Sequence, residues 1–281
     1  MQPIRVAPTS GQAEEWALVL TAAGIPNAIE VDTSGFIVLA AGDDSLRAHA
    51  ALAAYDDERR VATPLVSEPY PWMSGVGLGL LLLWLFTLSG TPSPGSRWFA
   101  AGGAAADRIR AGEVWRTVTA LTLHVDVMHV LGNAVATAVL VPPLVQRFGA
   151  GATLVLLLLA GALGNVLAAL THDPRHVAVG ASTATFGAVG LLTALRLLPH
   201  EPPTRSKRWT APVAGVLLLV TLGAAPGADI AAHLFGFVVG AALGALAGFT
   251  VRRRPRALVQ WVLGLLVAIV VIVCWRLAWH A

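Results

Sequence analysis

Four polar side chains stand out in a long apolar sequence: His129 and Asn133, four residues apart, then Ser182, then His233. Such groups are costly in hydrocarbon, so each needs a role or a partner. One hydroxyl, one imidazole and two further hydrogen-bonding side chains are sufficient parts for acyl transfer. His233 can take the Ser182 proton and later return it to a leaving amine. The Ser182 backbone N–H, with the His129 and Asn133 side chains, can hold the oxyanion that develops, where a single donor is worth about 10²–10³ in rate. Asp229, one turn before His233, is expected to face water, so the reading is a Ser–His dyad. Phe186, one turn after the serine, is expected to pack on the imidazole.

Those side chains act together only if helices bring them to one place. Of 281 residues, 56% are hydrophobic and 12% charged, about half the charge of a soluble domain. This excludes an ordinary soluble enzyme, a nucleic-acid binder and a disordered tail. Apolar stretches fall at roughly 75–90, 127–147, 150–170, 180–198, 210–224, 229–250 and 257–279, and a span needs about 20 residues. Thr91–Asp126, with Trp98, Phe99, Trp115 and several arginines, suits an interfacial loop. Arg205, Lys207 and Arg208, and then Arg252, Arg253, Arg254 and Arg256, mark two cytoplasmic loops by the positive-inside rule. Spans two, four and six then start at the outer surface. That puts His129, Asn133, Ser182 and His233 at one depth, with the N-terminus in the cytoplasm and the C-terminus outside. Gly236, Gly240, Gly244 and Gly248 form a small-residue stripe for close helix contact, which Gly180, Gly187 and Gly190 match on span four.

The first 70 residues are different. They hold 4 basic and 10 acidic side chains, against 15 and 6 in the rest. No charged segment followed by an apolar one opens the chain, so a cleaved export signal is not expected. Trp16, Val19, Leu20 and Ala23 form a helix stripe. Ala28–Val31 and Phe36–Leu39 read as strands around a turn, and Asp43 or Asp44 can cap a second helix. The expectation is a small α+β (αββα) cytoplasmic domain over 1–62 and a proline-marked linker over 63–74. A two-stranded sheet alone is marginal, so it should pair with a partner or dock on the body.

The motifs resemble those of the rhomboid intramembrane serine proteases. Gly112-Glu113-Val114-Trp115-Arg116 is similar to the family's Trp-Arg loop motif, and His129–Asn133 to its His-x-x-x-Asn. Gly180-Ala181-Ser182 with Phe186 is similar to its Gly-x-Ser. Ala232-His233-Leu234-Phe235-Gly236 with Gly240 is similar to its Ala-His-x-x-Gly-x-x-x-Gly. The resemblance implies an all-α polytopic membrane fold, with a six-helix core over 75–250 and a seventh helix over 257–279. It implies Ser182 as nucleophile, His233 as base, and His129, Asn133 and the Ser182 N–H as oxyanion hole. Supporting roles fall to Phe186, Gly180, Gly236, Gly240, Trp115 and Arg116. Substrates would be transmembrane proteins in the plasma (inner) membrane, cut near the outer surface, without cofactor or metal. Two positions depart from the family: Thr183, where it often has Gly, and Val145, which follows Pro142-Pro143, where it often has Glu.

Other classes fit less well. No His-Glu-x-x-His zinc motif occurs. Gly180–Ala184 lacks the second glycine of Gly-x-Ser-x-Gly. One cysteine, Cys274, excludes an intrachain disulfide framework. His172 and His176 read as solvated loop residues, and His124 as either a support for the site or an interfacial histidine. Trp261, Trp275 and Trp279 read as interface anchors or lipid-facing packing, not a ligand cage. A non-cleaving binder of membrane proteins on the same fold, and a small-solute transporter, stay open as alternatives.

Overall fold

A computed structural model describes residues 1–32, 35–62, 71–197, 229–251 and 254–281. Two compact units divide the chain, Met1–Pro69 and Tyr70–Ala281.

The first unit runs β1 (Gln2–Ala7), α1 (Ser10–Ala22), β2 (Asn27–Asp32), β3 (Gly35–Ala40), α2 (Ser45–Ala62). Thr9 caps α1, its side chain accepting the Gln12 N–H, which satisfies one free donor of the first turn. The antiparallel sheet has the order β1-β3-β2. Its core joins Ile4 and Ala7 of β1, Trp16 and Leu20 of α1, Val38 and Ala40 of β3, and Leu52 of α2. The expected αββα order is therefore corrected to βαββα. The sheet does not need an outside partner for a third strand, because the chain's own first residues supply it. That strand escapes a search for alternation because its register shifts between Pro3 and Arg5. The bulge puts Ile4 and Ala7 in the core, three apart rather than two.

The second unit is helical. It runs α3 (Trp72–Ser89), α4 (Arg97–Gly102), β4 (Ala104–Ala105), α5 (Ala106–Arg110), α6 (Arg116–Thr119), α7 (Val127–Phe148), α8 (Ala150–Thr171), β5 (Val177–Ala178), α9 (Ser182–Leu197), α10 (Ile230–Thr250) and α11 (Ala257–His280). Among the described residues, α3, α7, α8, α10 and α11 are long and apolar enough to cross a membrane, and α9 is a shorter apolar helix. The expected span 210–224 lies outside the described residues. Large apolar side chains such as Leu80, Trp84, Leu265 and Ile272 are exposed, as a bilayer solvent permits and water does not. The loop before α7 is built from short helices. Its β4 pairs with β5, Ala104 opposite Ala178 and Ala105 opposite Val177, which ties that loop to the segment leading into α9. Pro142 and Pro143 lie inside α7 without ending it.

Candidate active site

Ser182 is the first residue of α9, so its N–H is among those that i→i−4 bonding leaves free. The approach is fixed by two hydrogen bonds from the backbone. Gly180 N–H donates to the Ala120 carbonyl at 2.9 Å, and Ala181 N–H donates to His124 Nε2 at 3.4 Å. Gly180 has φ +130°, a region that strains any other residue. A methyl there would also fall 2.5 Å from His129 Cε1 and 3.5 Å from Ser182 Oγ. Glycine thus keeps open the gap between the serine and His129.

The head of α10 supplies the imidazole. Asp229 caps this helix, its Oδ1 accepting the Ala232 N–H at 2.9 Å. His233 follows one turn later, 5% exposed, with Nε2 2.9 Å from Ser182 Oγ. Phe186 stacks on its ring, centroids 4.4 Å apart at 28°. His233 Nδ1 is buried and has no partner among the described residues. A serine hydroxyl donating to Nε2 requires the imidazole proton on Nδ1.

Why the two helices meet is visible in their glycines. A Cβ on Gly236 would land on the Thr183 carbonyl oxygen, one on Gly240 on that of Gly187, and one on Gly190 on that of Phe237. Backbones this close leave no room for a side chain, and dispersion plus close polar contact replace hydrophobic driving force in a bilayer. Thr183, at the position where a glycine was expected from the resemblance, contributes the carbonyl against Gly236 and is itself buried.

His129 and Asn133 lie one turn apart on α7, whose cap Asp126 accepts the His129 N–H at 2.7 Å. The Asn133 amide donates to the His129 carbonyl at 3.1 Å, and its Oδ1 accepts from Thr185 Oγ1 at 3.3 Å. That amide has a second hydrogen to offer. A cavity of about 360 Å³ is lined by His129, Asn133, Ser182, Phe186 and His233 together. Trp115 and Arg116 are elsewhere. Arg116 is buried, pairs with Glu113 at 2.6 Å and donates to the Ala100 and Gly103 carbonyls at 2.9 and 3.0 Å, so it clamps the loop. Arg116 and Arg108 hold the Glu113 carboxyl below its usual range although burial opposes them.

Two histidines and one carboxylate differ from the sequence reading. His172 and His176 are not simply solvated. Their rings stack at 3.8 Å, and their Nε2 atoms each lie 2.7 Å from a different oxygen of Asp229. Asp229 therefore faces these rings and the Ala232 N–H, and not bulk water. Its pKa lies below the ordinary value: burial raises it, but the Ala232 N–H and the two histidines outweigh burial. His124 is fully buried and edge-on to His129, ring centroids 5.2 Å apart. Burial, and then the charge of His129, push it down to about 3 against the opposing pull of Asp126. The contacts of His172 and His176 with Asp229, and of His124 with the Ala181 N–H, each cross more than fifty residues, so the sequence signals them by residue type alone.

A family model described as Rhomboid domain matches residues 111–250. Among curated proteins the chain is similar to RHOMBOID-like protein 7 of Arabidopsis thaliana, 34% identical over 48% of this chain and 43% of that one. It is similar to Rhomboid-like protease 3 of Toxoplasma gondii, 32% identical over 56% of this chain and 60% of that one. Rhomboid protease GluP of Bacillus subtilis is 26% identical over 59% of this chain and 32% of that protein. The chain thus spans about half the length of the curated relatives it matches.

Proposed function

The chain belongs to the rhomboid family of multi-pass membrane proteins, and on that premise we propose that it is an intramembrane serine endopeptidase working by a Ser182–His233 dyad. One observation carries the reading: Ser182 Oγ and His233 Nε2 sit 2.9 Å apart at the heads of two helices in backbone contact. His233 accepts the hydroxyl proton as Oγ adds to the scissile carbonyl. The oxyanion is held by the Ser182 N–H, the free hydrogen of the Asn133 amide and His129. The imidazolium then protonates the leaving amine, and water, activated by the same base, hydrolyses the acyl-enzyme. With no carboxylate on Nδ1 among the described residues, the stacked Phe186 ring holds the imidazole in place.

Substrates in this reading are transmembrane segments of other proteins, entering from the bilayer. Placement in a plasma (inner) membrane rests on the family resemblance, and the cytoplasmic head and outside C-terminus rest on the arginine-rich loops. The non-cleaving binder and the transporter gain no observation of their own.

Covalent labelling by a fluorophosphonate in detergent tests the dyad. Wild type should label, and Ser182→Ala and His233→Ala should lose labelling and cleavage of a model transmembrane substrate by at least about 10³-fold. Equal labelling of Ser182→Ala, or full cleavage by His233→Ala, would reject it.

A further inference from the structure

We propose that His172, His176 and Asp229 form a binding site for a borderline divalent cation of the zinc class, at the mouth of the Ser182 cavity. Among the described residues these three offer ligand atoms that all lie within 4.8 Å of one another. Ligands about 2.0–2.1 Å from a tetrahedral Zn²⁺ lie about 3.3 Å apart, so small side-chain rotations seat the ion between the rings and the carboxylate.

The donor set selects the ion. Two imidazoles and one carboxylate suit Zn²⁺, Co²⁺ or Ni²⁺, whereas Mg²⁺ and Ca²⁺ want oxygen ligands. Three protein ligands leave a fourth position for water, and the side chains are 25%, 33% and 12% exposed, which lets a hydrated ion arrive. His176 and Asp229 also line the cavity that holds Ser182 and His233. Ligation uses the Nε2 lone pairs, so each ring carries its proton on Nδ1, and the two hydrogen bonds to Asp229 give way to metal bonds.

The scaffold is set before any ion arrives. The turn after α8 is closed by the His176 N–H donating to the Asp173 carbonyl and the Arg175 N–H to Asp173 Oδ1, both 2.9 Å. Ala106 N–H donates to the His176 carbonyl at 3.0 Å, and Asp107 N–H to that of Pro174 at 3.1 Å. Arg110 holds the Ala169 carbonyl at 2.8 Å and that of His172. Asp229 is fixed from the other side as the cap of α10. Backbone held at this many points presents both rings face to face, and little ordering entropy is left for the ion to overcome. An ion here would tether the α8–α9 loop to the head of α10, one turn from His233.

The full chain, purified in detergent and stripped with chelator, is titrated with Zn²⁺ by calorimetry and with Co²⁺ by visible absorption. Expected are one Zn²⁺ equivalent at micromolar affinity or tighter, Co²⁺ bands of tetrahedral intensity, and a Tm that rises with the logarithm of free Zn²⁺. His172→Ala and His176→Ala should each weaken binding about 10–100-fold, and the double variant should remove it. Asp229→Asn, which preserves the helix cap, should weaken it by a similar factor. His49→Ala and His280→Ala, both exposed and remote in sequence, should leave it unchanged. Unchanged binding in the double variant overturns the site. So does loss of binding in His129→Ala with the three ligands intact, Mg²⁺ competing equally with Zn²⁺, or no binding at all, which would leave a purely hydrogen-bonded cluster.

Discussion

Ser182 and His233 make one hydrogen bond, and what surrounds them decides whether it is useful. The imidazole is held on its face by Phe186 and has no acidic partner on Nδ1 among the described residues. Ring stacking of this kind is worth about 0.5–1.5 kcal/mol. Phe186→Leu should therefore lower kcat about 2–10-fold with a smaller effect on KM, while Phe186→Tyr should keep the rate; steady-state cleavage of a model substrate reads both. His124 gives a stability prediction. Its imidazole is neutral in the fold, with a pKa of about 3, while an unfolded histidine titrates near about 6.5. Between those values the unfolded state binds the extra proton. Stability is thus whole above about pH 6.5 and falls as pH drops toward 3, by up to about 1.4 kcal/mol per pH unit. The Tm of wild type should fall more steeply below pH 6.5 than that of His124→Gln, and parallel curves would reject this. At this scale residue types were informative in sequence, but partners were not. The spacing of His129 and Asn133 put them on one helix face. The stacking of His172 on His176 depends on the Asp173–His176 turn, centred on Pro174 and Arg175, that folds one histidine back on the other, and no periodicity records it.

At the scale of elements, α9 and α10 set the site. The Gly236–Gly240 stripe meets carbonyl oxygens of α9 directly, and the carbonyls cannot retreat without breaking their own helix. Gly240→Val should push the helices apart, at the cost of about 1–3 kcal/mol typical of overpacking. It should also abolish fluorophosphonate labelling while leaving the protein helical by circular dichroism; full labelling would show that the contact is dispensable. Gly180→Ala should act differently, because its methyl intrudes between His129 and Ser182. Labelling should drop at least about 10-fold with little change in overall helicity, and normal labelling would show the gap is not needed. The glycine stripe was legible because a period of four puts every glycine on one helix face, where it clears a track for a second backbone. The meeting of Ser182 and His233 could therefore be read from it, while their catalytic role is a proposal that labelling decides. The β1 strand was not legible, since a bulge breaks the alternation by which strands are found.

At the scale of the whole molecule, the two units have separate cores. The buried cluster of the head is drawn entirely from residues 4–52, and the buried clusters of the helical unit from residues 82–247. Deleting residues 1–62 should leave a membrane unit that still labels at Ser182, within about twofold of the full chain; loss of labelling would show that the head is needed for the fold of the rest. Charge and composition made this division readable, since an acidic, mixed segment cannot belong to the same solvent as an apolar one. The last helix carries a further consequence. Only Ala278 of α11 is buried, and its polar attachments fall near its two ends. Gln260 bonds the Phe148 carbonyl and the Ala152 N–H. Trp275 bonds Thr122 and, with Trp279, packs edge-on against Trp98. Gln260 and Trp275, fifteen positions apart, bound a strut about 22 Å long. That strut is a ruler laid across the membrane. In a bilayer whose thickness departs from it, the mismatch should fall on the contacts at the helix ends, Gln260 at one and Trp98 at the other.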